Sequence, residues 1–319
     1  MMKFMKILKV NIYAKFILIL IVILIFNRIA VSECIAPFSG MHIKNNTVFC
    51  NDTYILNESI FLEENASLDC NGAVLIGPGT FYNGEWNGIA IINITNVNNL
   101  VVKNCKITNV PFGIRAINLS NENGKVLIQN NEFYNVQGAI GFTKTKLREL
   151  IIYSNSINSE LAGIFLYSEE ISNVDIRQNK LITENCNYYN AIQTTNKARI
   201  NNNYMHNLCK ENISEHSTGI VVGNDGVVDN NTIQNFYIGI WLDGENNNIY
   251  KNNIINYKKA IFLNEKYKKS NLIKNNKLIK KIGINNLFVV VILVILFLFS
   301  LYFLLIRKNK SVNHKHFNM

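Results

Sequence analysis

A short phrase recurs down the middle of this chain: an aliphatic residue, two polar residues, asparagine, any residue, then an apolar one. It begins at Ile128 and again at Ile152, Ile176, Ile200, Val228, Ile249 and Ile273. The asparagines are Asn131, Asn155, Asn179, Asn203, Asn231, Asn252 and Asn276, spaced 24, 24, 24, 28, 21 and 24 residues apart. One repeat earlier, Val102 to Ile107 fits the phrase with Cys105 in the asparagine's place. A period of this length built from strand-forming residues specifies a solenoid, because one repeat cannot bury its apolar face until neighbours stack on it.

A second phrase falls between the asparagines: a small residue, isoleucine, any residue, and often another aliphatic. It occurs at Gly88-Ile89, Gly113-Ile114, Ala139-Ile140, Gly163-Ile164, Ala191-Ile192, Gly219-Ile220, Gly239-Ile240 and Ala260-Ile261. Each repeat therefore carries at least two short strands with side chains alternating inward and outward. Ile114, Ile164, Ile176, Ile200, Ile220 and Ile240 are the expected core. The asparagine closes the second strand at a bend, where its amide pairs with the same residue one rung along.

Strands, bends and this period, without a helical pattern, predict an all-β chain wound as a parallel β-helix. The rungs, with the opening Leu68 to Gly72 (Leu-Asp-Cys-Asn-Gly), resemble the right-handed parallel β-helix proteins of pectin-lyase-like fold. Within them the repeats are similar to those of the copper-site assembly protein of nitrous oxide reductase. The resemblance covers roughly Asn65 to Lys280 and implies a fold of about eight or nine rungs, some 40 Å long. It implies little about activity, since functions are grafted onto such scaffolds.

The two ends read as export and anchoring signals. Lys3, Lys6, Lys9 and Lys15 precede an uncharged run from Phe16 to Phe26 and a small-x-small site at Ala30 to Ser32, so residues 1–32 are expected to form a signal peptide. The longer apolar stretch from Ile12 offers the alternative of an uncleaved anchor. Residues 33–87 are expected to form an N-terminal cap with the first rung or rungs, and 88–281 the repeats. Leu287 to Ile306 is an uncharged run of bilayer-spanning length, followed by Arg307, Lys308, Lys310 and Lys315. This places a single-pass helix at 287–306, a cytoplasmic tail at 307–319, and the β-helix outside the cell membrane.

The net charge of +10 suggests a polyanion partner only until the charge is located. Residues 33–284 carry +1 in all, and within them 258–281 carries nine lysines against Glu265. The basic character belongs to membrane-proximal segments, so a nucleic-acid partner is not expected. The lysine segment either touches anionic headgroups or an acidic wall polymer, or is a solvated edge that discourages strand addition. Six cysteines in the exported part read as disulfides. Cys186 and Cys209, one rung apart, are the clearest pair. The pairing of Cys34, Cys50, Cys70 and Cys105 is open, and a free buried thiol at Cys105 is one alternative. Among the Asn-x-Ser/Thr sites, Asn57 and Asn65 are the preferred glycosylation acceptors.

Aligning the rungs tests for chemistry, because residues at one phase stack about 4.8 Å apart. Beside the asparagine ladder, Asp175, Arg177, Arg199 and Asp229 share an outward face, with Tyr153 and Tyr250 at its ends. A lyase or hydrolase acting on acidic glycans would use such residues, and these four are the catalytic candidates under that alternative. Against it, Asp175 and Arg199 on adjacent rungs make an ordinary cross-strand pair, and Asp229 lies about 10 Å from the Asp175 level. The outward phase of the glycine-isoleucine strand runs Ala90, Arg115, Gly141, Phe165, Gln193, Val221, Trp241, Phe262. Phe165, Trp241 and Phe262 are candidates for stacking on sugars or a partner surface, as are Trp86, Tyr188 and Tyr189 in loops. His206 reads as a loop or turn residue, and no metal site or cofactor is expected. The function that fits is a membrane-anchored, non-enzymatic surface protein that binds glycan or envelope components or acts in cell contact, with a membrane-tethered lyase or hydrolase acting on acidic glycans as its alternative.

Overall fold

The computed structural model describes residues 34–79, 88–168, 170–195, 197–209, 212–280 and 294–300. The chain is an all-β parallel solenoid of about nine turns. Every strand pairing is parallel, and each rung repeats the register of the one before. Among the described residues one sheet has 11 strands and the other 17, the larger one folding around a corner into two faces.

The strands before the ladder asparagine form the smaller sheet, which we call the ladder face; Val174–Arg177 and Ala198–Asn201 are typical. The residues just after the asparagine form a third strand, such as Lys180–Thr183 or Tyr204–Asn207, which the sequence phrases left unrecognised. The chain then turns into the isoleucine face, for example Ser217–Val222 and Ile238–Leu242. In three consecutive rungs the last two strands run together as one, Lys106–Ile117, Glu132–Thr143 and Ser156–Tyr167. Rungs begin well before the repeat phrase does: His42–Ile43, Thr47–Val48 and Thr53–Ile55 already belong to the three faces, so much of the expected cap is wound into the solenoid.

The interior is aliphatic by stacking. Ile60, Ile92, Ile114, Ile140, Ile164, Ile192, Ile220, Ile240 and Ile261 are cross-strand partners in one row. All but the last are fully buried, and each contributes about 1.5–3 kcal/mol of apolar burial. This register corrects one expectation. Ala90 pairs with Phe112, so Gly88-Ile89 lies outside the row and Asn93, not Ala90, stands beside Arg115.

Along the bend, each ladder asparagine accepts at Oδ1 from both the backbone N–H and the Nδ2 of the asparagine one rung earlier. For Asn131 to Asn155, Asn155 to Asn179 and Asn179 to Asn203 these bonds measure 2.9–3.0 Å. Each Nδ2 also donates to a carbonyl of the preceding rung, Asn179 to Ile152 at 2.9 Å and Asn203 to Ile176 at 2.9 Å. The series runs unbroken to Asn276. The residue before each asparagine is left-handed, as at Asn130, Ser154, Gln178 and Asn202 with φ between 53° and 56°, which explains the second polar residue in the phrase. Shorter ladders close the other corners: Asn135 donates to Asn109, Asn256 to Asn235, and Asn271 accepts from the backbone of Asn247.

At the N-terminal end cysteines take over the ladder. Cys70 and Cys105, both fully buried, are disulfide-bonded, and Cys105 N–H still donates to Asn131 Oδ1 at 3.0 Å. Cys105 is thus not a free thiol. Cys34 pairs with Cys50 and Cys186 with Cys209.

Asp69, beside this disulfide, reports on the integrity of the same rungs. Burial pushes its carboxyl up, but Asn104 Nδ2, the Asn71 N–H and Lys103 together hold it below the usual carboxylate value. A depressed carboxylate stabilises the fold above its unfolded pKa of about 3.9 and loses that contribution as pH falls through the folded value. Melting temperature followed downward from pH 5 is therefore expected to fall less steeply in Asp69→Asn than in the native chain. Equal slopes would show that Asp69 is not coupled to folding.

Among the described residues no helix is long and apolar enough to cross a membrane. Residues 294–300 are helical, with exposed apolar side chains, and the rest of the 287–306 run lies outside the described residues, as do the expected signal peptide, the tail and Trp86.

Candidate functional site

The ladder-face constellation is a set of ion pairs lying flat on the sheet. Arg177 Nη1 is 3.4 Å from Asp175 Oδ2 along one strand, and Arg199 Nε is 3.9 Å from Asp229 Oδ1 across two. Asp175 and Arg199 are cross-strand partners in register, but each makes its ion pair elsewhere. Asp229 is only 3% exposed and accepts from Asn230 Nδ2 at 2.7 Å. Arg177 also lies over the Tyr153 ring at 5.2 Å. None of the four residues lines the cavities of about 500, 640 and 310 Å³ found among the described residues.

The isoleucine face differs because outward residues there meet glycine. Its register runs Asn93, Arg115, Gly141, Phe165, Gln193, Val221, Trp241, Phe262. Phe165 is not an exposed platform: it is 3% exposed and packs with Ala90, Phe112 and Ala162 in a small second core outside the solenoid. Its ring lies against the bare backbone of Gly141, where a Cβ would come within 2.0 Å of Cζ. Arg115 sits 4.9 Å over Phe112. Trp241 and Phe262 are half-buried, meet edge-on at 5.6 Å, and carry Lys259 Nζ 4.6 Å above Phe262. Trp241 Nε1 is buried without a hydrogen-bond partner. Tyr189 is fully buried, its hydroxyl beside Ser159 at 3.3 Å and its acidity suppressed by that burial, whereas Tyr188 remains exposed.

Polar grooves border this face at both corners. At the entry corner an open groove of about 500 Å³ is lined by Tyr134, Gln137, Asn158, Glu160, Glu184 and Asn185, among others. Among the described residues no Lys or Arg lines it, and Tyr134 is 66% exposed at its edge. Partial burial pushes the Glu160 carboxyl up. At the exit corner a groove of about 640 Å³ contains Glu122, Glu170, Asp225 and Lys197. Glu170 is engaged by Lys146, whose pKa is raised by that contact.

Glu160 and Glu184 were not among the sequence candidates, although a signal exists: each lies five residues after a ladder asparagine, in consecutive repeats. His206 belongs to the strand Tyr204–Asn207 rather than to a loop. Asn235 Nδ2 lies 3.0 Å from His206 Nε2, and its own Oδ1 accepts from Asn256. That orientation leaves the ring proton on Nδ1, toward the Tyr204 hydroxyl at 3.1 Å. Burial lowers the His206 pKa, so the ring is a neutral link in a corner network. No group of three or more His, Cys, Asp or Glu among the described residues is placed to hold a metal ion. Asn57 and Asn65 are both exposed.

The fold defines the chain as a parallel β-solenoid. No family model matches it, and no curated protein does. Among solved structures it is similar to the alginate lyase from Paenibacillus sp. str. FPU-7, at 12% identity and a TM-score of 0.44, over 76% of this chain and 97% of that one. At that identity and score the likeness assigns no residue and no activity here.

Proposed function

We propose that this chain is a membrane-anchored, outward-facing surface protein that binds an uncharged glycan along the isoleucine face. The observation that supports this most is the make-up of the entry groove. Tyr134 offers a ring for stacking, the amides of Gln137 and Asn158 offer hydrogen bonds, and the charge of the described lining residues is wholly acidic. An acidic sugar would meet Glu160 and Glu184 with no Lys or Arg among the described lining residues to neutralise it, which speaks against a uronate ligand. Trp241 and Phe262 extend the aromatic surface along the same face. The three disulfides fit an oxidising compartment outside the cell. A cleaved signal peptide at 1–32, a spanning helix at 287–306, right-handed winding and glycans at Asn57 and Asn65 complete the proposal.

One feature favours a second reading, hydrolysis. Glu160 and Glu184 occupy one phase on adjacent rungs, and the rung spacing of about 4.8 Å is close to the 5–5.5 Å that separates the carboxylates of retaining glycosidases. Burial, which pushes the Glu160 carboxyl up and favours its protonated form, suits a general acid. The test is a glycan array probed with the full chain in detergent, with mass spectrometry of every glycan bound. Binding without cleavage, weakened roughly 3- to 10-fold by Tyr134→Ala or Trp241→Ala, is the expected result. Cleavage abolished by Glu160→Gln while binding persists would establish the second reading. Cleavage abolished by Asp175→Ala or Arg199→Ala would return the chemistry to the ladder face.

A further inference from the structure

We infer that the last rung of the solenoid is a docking surface for anionic phospholipid headgroups. This rests on the membrane anchoring proposed above. Among the described residues, none covers the inward phase of the last rung. Ile249 and Ile254 are fully buried, whereas their partners on the last rung, Ile273 and Leu278, are 41% and 49% exposed. Leu272 and Ile279 are exposed beside them. Around these apolar residues stand Lys258, Lys259, Lys266, Lys268, Lys269, Lys274, Lys277 and Lys280, all exposed. The lone acid, Glu265, is already held by Lys268 at 3.4 Å.

Apolar side chains ringed by lysines are the composition of surfaces that settle into a charged bilayer interface. Chain length adds a geometric constraint. Only six residues separate Lys280 from the apolar run that begins at Leu287. Fully extended they reach about 20 Å, so a spanning helix there holds the lysines close to the headgroups. Near an anionic surface each lysine is worth about a 5-fold gain in occupancy, and that gain fades with salt over a Debye length of about 10 Å. The opposite end of the solenoid carries Asp52, Glu58, Glu63 and Glu64, so a second copy stacking head to tail is the competing occupant.

The experiment is amide hydrogen exchange across residues 272–279 of the full chain, reconstituted into vesicles. One set is pure phosphatidylcholine; the other holds about a third phosphatidylglycerol. Exchange at least 10-fold slower in the anionic vesicles, restored by high salt and by the double variant Lys274→Glu/Lys277→Glu, supports the inference. Both lysines are exposed, and unchanged exchange across Asn131 to Asn203 confirms that the variant is folded. Equal protection in both vesicle types overturns it; if protection then rises with protein concentration, a second copy is the occupant. A chain washed off the vesicles by alkaline carbonate removes the anchoring reading itself, and the inference with it.

Discussion

Asn179→Ala is expected to be the most damaging single substitution in the solenoid, lowering stability by about 3–5 kcal/mol. The side chain sits in mid-ladder, 1% exposed, between Asn155 and Asn203 that are equally enclosed. Removing it takes away the acceptor for both the N–H and the Nδ2 of Asn155, and the donor to Ile152 O. Water cannot reach these groups, so each loses a hydrogen bond without replacement. Asn179→Asp should do no better, since a buried carboxylate cannot donate to Asn203 Oδ1 or Ile152 O. For a solenoid of this size the loss corresponds to a fall in melting temperature of roughly 6–10 °C. Asn276→Ala supplies the control: it lies half-exposed at the end of the ladder and should cost about 1 kcal/mol. A melt in which the two variants shift equally would show that the ladder's burial is not what matters.

The double substitution Cys70→Ala/Cys105→Ala is expected to cost about 3–4 kcal/mol. The disulfide closes a sequence separation of 35 residues in the unfolded chain. Because the Cys105 backbone N–H, not its sulfur, donates to Asn131, alanine leaves the start of the ladder in place. The effect therefore isolates the cross-link from the hydrogen bonding. In a solenoid each rung contacts only its neighbours, so the loss should stay local. Hydrogen exchange should accelerate between His42 and Ile107 and remain unchanged between Asn155 and Asn252. Breaking Cys186–Cys209 should instead loosen its own loop, since Cys186 lies at a corner outside the core. Uniform acceleration along the whole solenoid after removal of Cys70–Cys105 would contradict this picture.

Much of the architecture could be read without coordinates because both phrases encode local geometry. Alternation along Val174 to Arg177 decides which side chains enter the core, and the asparagine marks the bend that every rung shares. Period alone therefore puts Arg177 and Asp229 on one outward face with Tyr153 and Tyr250 at its ends, and the strands pair that way. The one slip in register, at Gly88-Ile89, came where a look-alike dipeptide lies three residues before the true position, Ile92. The Cys186–Cys209 pair was legible because their separation matches one turn, while the pairing of the other four cysteines depended on how early the rungs begin.

The candidate site was less legible, for a physical reason. Repetition specifies inward residues, since each must match its neighbours above and below; outward residues are free of that constraint. Whether Phe165 is a platform or a plug depends on the missing side chain of Gly141 one rung back and on Phe112 two rungs back. Asp175, Arg177, Arg199 and Asp229 look the same in a list whether they line a groove or pair on a flat sheet. Glu160 and Glu184 sit where the phrases leave residues unspecified, and the corners of neighbouring turns bring them to one groove. Period, core and ladder are properties of one repeat and its copies, so the chain carries them in its sequence. Exposure and convergence belong to surfaces assembled from several turns, and they exist only once those turns are stacked.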